Sequence, residues 1–166
     1  MQPALFLDRD GTLMLDTGYP SRVDQVILLP WAVDALLEAQ RQHYALVVVT
    51  NQSGIGRGIF TRADADNVRA MFLAKMAQMG VAFHGYYECP HSPDMACRCR
   101  KPMPGLVHQA TAQLGLDVQR SWVIGDKPSD VELANWVPGL RGLQVPTNCR
   151  WHLPPLAPVK TLQEGV

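Results

Sequence analysis

Residues 45–49, Ala-Leu-Val-Val-Val, are a short apolar run with no polar alternation and three adjacent β-branched side chains. Such a run is expected of a strand buried on both faces, as in a parallel sheet covered by helices on each side. It stops abruptly at Thr50-Asn51-Gln52-Ser53-Gly54, which predicts a polar cluster at the strand's carboxyl end. The pattern recurs along the chain. Residues 4–7 run into Asp8, residues 83–88 into a group of cysteines, and residues 121–124 into Gly125-Asp126, with a last strand expected over 140–145.

Helical spacing fills the intervals. Ala32, Val33, Leu36, Leu37 and Ala39 predict a helix over 30–44, with Pro30 suited to its first turn. Thr61 with Asp64 three residues on has capping-box form, and Val68, Met71, Phe72, Met76 and Met79 make one apolar face before Gly80. Further helices are expected over 105–114, closed by Gly115, and over 128–136. The Pro-rich residues after Pro146 read as a surface tail with one turn of structure. The fold class is therefore α/β: a Rossmann-like parallel sheet with helices on both faces. The 166 residues suit a single domain spanning 1–166, without linker or internal repeat. Ligands of such sheets bind beyond the carboxyl ends of the strands, where Asp8, Thr50, the residues after Glu88 and Asp126 all fall.

Charge narrows the partners. Fifteen basic residues balance fifteen acidic ones, so no bulk field favours nucleic acid or a membrane surface. No apolar stretch approaches the ~20 residues of a membrane span, and the N-terminus lacks the design of a signal peptide. A cytoplasmic monomer acting on a small molecule is the expectation, with cysteines that serve as metal ligands or free thiols rather than disulfides.

Asp8-Arg9-Asp10-Gly11-Thr12 sets two carboxylates two residues apart just past a strand. One carboxylate is a competent nucleophile toward phosphorus, and the second can protonate a leaving oxygen and later deprotonate a water. Thr50, Asn51 and the amides of the Ser53-Gly54-Ile55-Gly56 loop offer neutral donors to phosphate oxygens. Lys101 can neutralise the nucleophile and the phosphoryl group together, and Asp126 with Asp130 can complete a hard-oxygen site for Mg²⁺. Cys89-Pro90-His91 and Cys97-Arg98-Cys99 place three thiolates and one imidazole within a loop over 89–99, a donor set for tetrahedral structural Zn²⁺. Cys149 reads as an ordinary thiol.

The ordered set Asp-x-Asp-Gly-Thr at 8–12, Thr50, Lys101 and Gly-Asp-x-x-x-Asp at 125–130 resembles the haloacid dehalogenase superfamily of phosphatases. That resemblance implies Asp8 as nucleophile and Asp10 as general acid/base. It also implies Mg²⁺ held by the Asp8 side chain, the Asp10 carbonyl and the Asp126 side chain, with Asp130 in support. The zinc loop followed by Cys-Arg-Lys-Pro is similar to two capless branches, the heptose-1,7-bisphosphate 7-phosphatases and the histidinol-phosphatases. The stretches 16–20, 49–58 and 101–105 look heptose-type, and Arg57 and Arg100 could bind a second phosphate. The five residues between His91 and Cys97 are closer to the histidinol-phosphatase pattern. A zinc-stabilised binding module with a vestigial site is the non-enzymatic alternative.

Overall fold

The computed structural model describes residues 1–159. Five strands form one sheet: β1 (Ala4–Leu7), β2 (Ala45–Asn51), β3 (Gly85–Cys89), β4 (Trp122–Gly125) and β5 (Arg141–Gln144). All pair in parallel, in the order β3-β2-β1-β4-β5. The helices are α1 (Pro30–Arg41), a single turn α2 (Ser53–Gly56), α3 (Arg62–Gln78), α4 (Gly105–Leu114) and α5 (Pro128–Glu132).

The alternation of side chains along each strand sorts the core into two layers. Leu5 and Leu7 of β1, with Leu46 and Val48 of β2, pack with Ala32 and Leu36 of α1 and Val68, Phe72 and Met76 of α3. Ala4 and Phe6, with Ala45, Val47 and Val49, pack on the other face with Leu106, Val107 and Ala110 of α4 and Leu133. Every residue of the 45–49 run is fully buried, as the absence of polar alternation requires. The order of the strands makes β1 the switch point, with β2 and β3 wound to one side and β4 and β5 to the other. A crevice therefore opens beyond the end of β1, where Asp8 lies.

Local signals act as expected at several ends. Thr61 caps α3, accepting from the Asp64 N–H at 3.0 Å while Asp64 accepts from the Thr61 N–H at 2.9 Å. Gly115 closes α4 in the left-handed region at φ 65°. Two expectations need correction. Met79 is 52% exposed because it follows the last turn of α3, so the apolar face ends at Met76. The residues after Pro146 do hold one hydrogen-bonded turn, the Cys149 N–H donating to the Pro146 carbonyl at 3.4 Å, but they are more than a surface tail: Trp151 is buried in the first layer, its indole N–H donating to the Thr12 carbonyl at 2.9 Å. Leu153, Leu156 and Val159 continue along that layer, and the Tyr44 hydroxyl donates to the Ala157 carbonyl. A Pro-rich stretch has no periodicity from which such packing can be read. The end of that expected tail lies outside the described residues. Among the described residues no helix is long and apolar enough to cross a membrane.

Replacing Trp151 by Ala should lower stability by about 3–5 kcal/mol through the cavity left behind. Trp151→Phe, which keeps most of the burial but loses the indole bond, should cost about 1–2 kcal/mol. Urea unfolding midpoints measure both, and an unchanged midpoint in the Ala variant would mean that the tail does not close the core.

Candidate active site

The site is built from four strand ends. Asp8 follows β1, and Gly11 turns the chain back at φ 86°. A side chain there would run into the Asp126 carboxylate, so glycine is required on both counts. Asp126 follows β4. Gly125, before it, faces Asp130 so closely that any Cβ would overlap the Asp130 side chain. Asp130 Oδ2 accepts from the Lys127 N–H at 3.0 Å, folding the first turn of α5 back toward the strand end.

Lys101 enters from the long connection between β3 and α4 and is 3% exposed. Its ammonium donates to Asp8 Oδ1 at 2.9 Å, to Asp130 Oδ1 at 2.6 Å and to the Val49 carbonyl at 2.7 Å. All three N–H groups are thus used. Burial alone would lower the Lys101 pKa, but Asp8 and Asp130 raise it above the ordinary lysine range. For Asp8, burial pushes the carboxyl well above the ordinary carboxylate range; Lys101 opposes this, while Asp130 and Asp126 add to it. Three carboxylates face Lys101, and the Lys127 ammonium lies 3.7 Å from Asp126 Oδ2, so the cluster keeps a surplus of one negative charge.

The carboxylate oxygens of Asp8, Asp126 and Asp130 lie within 4.8 Å of one another. Asp126 Oδ2 accepts from the Thr147 hydroxyl at 2.7 Å, whereas Asp126 Oδ1 is buried with no hydrogen-bond partner among the described residues. Hard oxygen donors, surplus negative charge and an orphaned oxygen fit a divalent cation such as Mg²⁺.

Thr50 and Asn51 are the last residues of β2. Thr50 is buried, its hydroxyl accepting from Gln52 Nε2 at 2.8 Å. Asn51 lines the cavity, but its side-chain amide is engaged with Lys101, accepting from the Lys101 N–H at 3.0 Å and donating to its carbonyl at 3.3 Å. It therefore fixes the lysine backbone. Ser53, Arg57 and Arg100 line the same cavity of about 340 Å³ as Asp8 and Asp10. Arg100 Nη1 is buried without a partner among the described residues.

Beside the cavity, Cys89, His91, Cys97 and Cys99 converge. Cys89 Sγ lies 3.4 Å from His91 Nδ1, 3.7 Å from Cys97 Sγ and 2.9 Å from Cys99 Sγ, and His91 Nδ1 lies 3.3 Å from Cys99 Sγ. Those separations approach the edge of a tetrahedron with Zn–S bonds of about 2.3 Å. Burial acts to raise the Cys97 pKa, but the backbone of Arg100 and Cys99 hydrogen-bonds the thiolate and draws it down to about 7. The four donors fit Zn²⁺. The loop also holds its surroundings: the Gly56 N–H donates to the Pro90 carbonyl and the Gly105 N–H to the Arg98 carbonyl.

Of the site residues singled out from the sequence, Asp8, Asp10, Asn51, Ser53, Arg57, Arg100, Lys101 and Asp130 line the cavity, Asp126 stands in the carboxylate cluster and Cys89, His91, Cys97 and Cys99 form the other, whereas Thr50 is buried and does not line the cavity. Sequence reasoning passed over four others. Gln52 bridges Thr50 and Asp10, donating to Asp10 Oδ2 at 3.2 Å. Thr147 orients Asp126. Arg9, the residue between the two aspartates, is 1% exposed and reaches Tyr86 on β3. Only the position of Arg9 inside Asp-x-Asp was a signal, and nothing in its spacing says whether it turns inward.

A lysine set among carboxylates at the switch point of a parallel sheet defines a hydrolase of the haloacid dehalogenase type, and the hydrolase-like family model (HAD-hydrolase-like) matches residues 98–149. The chain is 41% identical to the D-glycero-beta-D-manno-heptose-1,7-bisphosphate 7-phosphatase of Photorhabdus laumondii, over 80% of this chain and 74% of that one. It is 40% identical to the protein of that name from Escherichia coli K12, over 80% and 73%. The crystal structure of D,D-heptose 1,7-bisphosphate phosphatase from B. bronchiseptica, complexed with magnesium and phosphate, matches with a TM-score of 0.80 at 31% identity. That match covers 89% of this chain and 83% of the other. The chain therefore belongs to the heptose-bisphosphate phosphatase family of haloacid dehalogenase-like hydrolases, enzymes that cleave phosphoric monoesters.

Lys101→Met should lower stability by about 3–5 kcal/mol, because it leaves two buried carboxylates without their cation. Adding Asp130→Asn should recover part of that loss rather than deepen it, since the two sites share one network. Urea denaturation in EDTA measures the cycle, and simple additivity would mean that the groups are not coupled.

Proposed function

We propose that this chain, as one 1–166 domain acting as a cytoplasmic monomer, hydrolyses the 7-phosphate of D-glycero-β-D-manno-heptose 1,7-bisphosphate. The reaction would lie on the route to nucleotide-activated heptose for lipopolysaccharide. The observation that carries the reading is the charge layout of one cavity. Asp8, Lys101 and Asp130 line it, and Arg57 and Arg100 line the same space, the latter with a buried Nη1 that has no partner among the described residues. A bisphosphate needs cations for the phosphate that is not cleaved. An amino alcohol phosphate would call for an anion there; beyond the catalytic cluster the lining holds one carboxylate, Asp16, against the three cations Arg57, Arg100 and Lys127. Histidinol phosphate, the alternative from the compact 92–96 loop, is not favoured by the heptose-type relatives.

In the proposed mechanism Asp8 Oδ attacks phosphorus as the bond to the C7 oxygen breaks, giving an aspartyl-phosphate and an alcohol. Asp10 donates the proton that the departing oxygen takes up, then accepts one from the water that cleaves the acyl phosphate. Lys101 holds Asp8 in place and offsets charge on the phosphoryl oxygens. Thr50 and the amides around Ser53 receive those oxygens, while Asn51 keeps Lys101 in register. Asp8, the Asp10 carbonyl and Asp126, with Asp130 in support, would hold Mg²⁺, which would supply charge neutralisation between an anionic nucleophile and an anionic substrate. Cys89, His91, Cys97 and Cys99 would hold Zn²⁺ in a structural role, since they would supply all four ligands of a tetrahedral site.

Phosphate release from heptose 1,7-bisphosphate and from histidinol phosphate, each with Mg²⁺ and with EDTA, tests the substrate. Release from the bisphosphate that EDTA abolishes is expected, and a preference for histidinol phosphate would overturn the assignment. Asp8→Asn should reduce turnover by at least about 10³-fold; undiminished activity would remove the covalent mechanism. Metal analysis of purified protein should find one zinc per chain, lost in Cys97→Ser/Cys99→Ser together with a lower unfolding temperature. A zinc-free, equally stable wild type would refute the structural metal.

A further inference from the structure

Arg9 is among the largest fully buried side chains of the protein and carries a charge that the site chemistry described above does not use. Burying a guanidinium is costly unless it is paired and hydrogen-bonded. Its pairing is specific: Nε donates to Asp10 Oδ1 at 2.7 Å and Nη2 to Asp10 Oδ2 at 3.0 Å, a bidentate fork on the adjacent residue. The remaining arm, Nη1, crosses the end of β2 and donates to the Tyr86 hydroxyl at 2.8 Å. Tyr86 is itself held on both sides. The Phe72 ring meets it edge-on at 6.4 Å between centroids, and the Arg69 guanidinium lies over its face at 4.5 Å.

The consequence falls on Asp10. Both of its oxygens are gripped from behind, Oδ1 by Arg9 and Oδ2 by Arg9 and Gln52, while the side chain keeps 19% exposure and lines the cavity. A short side chain on a turn would otherwise sample several rotamers, and a proton donor must stand within hydrogen-bond reach of the departing oxygen. We infer that Arg9, braced by Tyr86, is a positioning residue that fixes the Asp10 carboxyl for proton transfer to the leaving group. This rests on the phosphatase reading above, in which Asp10 is the acid.

The inference has a signature that a purely structural role lacks. Departure of an alkoxide needs a proton, whereas p-nitrophenolate leaves as the anion. A misplaced Asp10 should therefore slow formation of the aspartyl-phosphate from an alkyl phosphate far more than from an aryl one, and kcat/KM reports that step for both. With Mg²⁺ present, the ratio of kcat/KM for heptose 1,7-bisphosphate to that for p-nitrophenyl phosphate should fall about 30-fold in Arg9→Gln, within the ~10²–10⁴-fold that a positioned acid contributes. Arg9→Lys, which keeps the charge without the fork, should recover part of that ratio. Tyr86→Phe removes a single hydroxyl and should lower the ratio about fivefold; it decides the matter if Arg9→Gln fails to fold. A ratio unchanged in these variants, whether both substrates slow together or neither slows, overturns the inference. Wild-type turnover of the bisphosphate and the loss in Asp8→Asn, measured alongside, judge the parent reading separately.

Discussion

One ammonium group organises this molecule. Lys101 joins the end of β1 through Asp8, the interior of β2 through the Val49 carbonyl and the first turn of α5 through Asp130. No two of these elements are neighbours in sequence, yet each must lie within hydrogen-bond reach of a single nitrogen. Hydrophobic burial alone would leave them free to slide, since apolar contacts are non-directional. The three bonds convert a generic layered sheet into one with a defined catalytic end. Because Asp8, Asp126 and Asp130 still outnumber Lys101 and Lys127, the arrangement also leaves an electrostatic deficit that a divalent ion can fill.

That nitrogen is itself delivered by a segment with almost no regular structure. Between β3 and α4 the chain has no strand or helix, and its backbone is held instead by side chains and by the cysteine cluster. Asn51 grips the Lys101 peptide on both edges, and the Arg98 carbonyl is tied to the first residue of α4. A tetrahedral metal there would stand in for the secondary structure that the segment lacks. The same loop contributes Arg100 to the cavity, so the anchor of the lysine and the wall facing the substrate are one piece of chain.

Much of this was legible from residue patterns. The uninterrupted 45–49 run required burial on both faces, and the polar residues ending each run marked the catalytic end of the sheet. The convergence of Cys89, His91, Cys97 and Cys99 was readable because their spacing is local. What was not readable depended on contacts far apart in sequence or on the direction of a single side chain. Trp151 sits in a Pro-rich stretch whose composition suggests exposure, and only the completed layer reveals the space it fills. Asn51 looks like a phosphate donor until its amide is seen engaged with Lys101. Arg9 could have pointed to solvent, as arginines usually do. Its inward turn follows from Tyr86, a residue of a strand two positions away in the sheet.

The order of the strands also bears on how such a chain matures as it is synthesised. β1 emerges from the ribosome before the other four strands, but it occupies the centre of the sheet and needs β2 on one side and β4 on the other. The turn that follows it is held from behind by Trp151, 139 residues beyond Thr12 in sequence. A nascent chain that has made β1, β2 and β3 can pair those strands, yet it leaves one edge of β1 bare and the aspartate turn unsupported. The chemistry of the site is thus withheld until the chain has been made as far as Trp151.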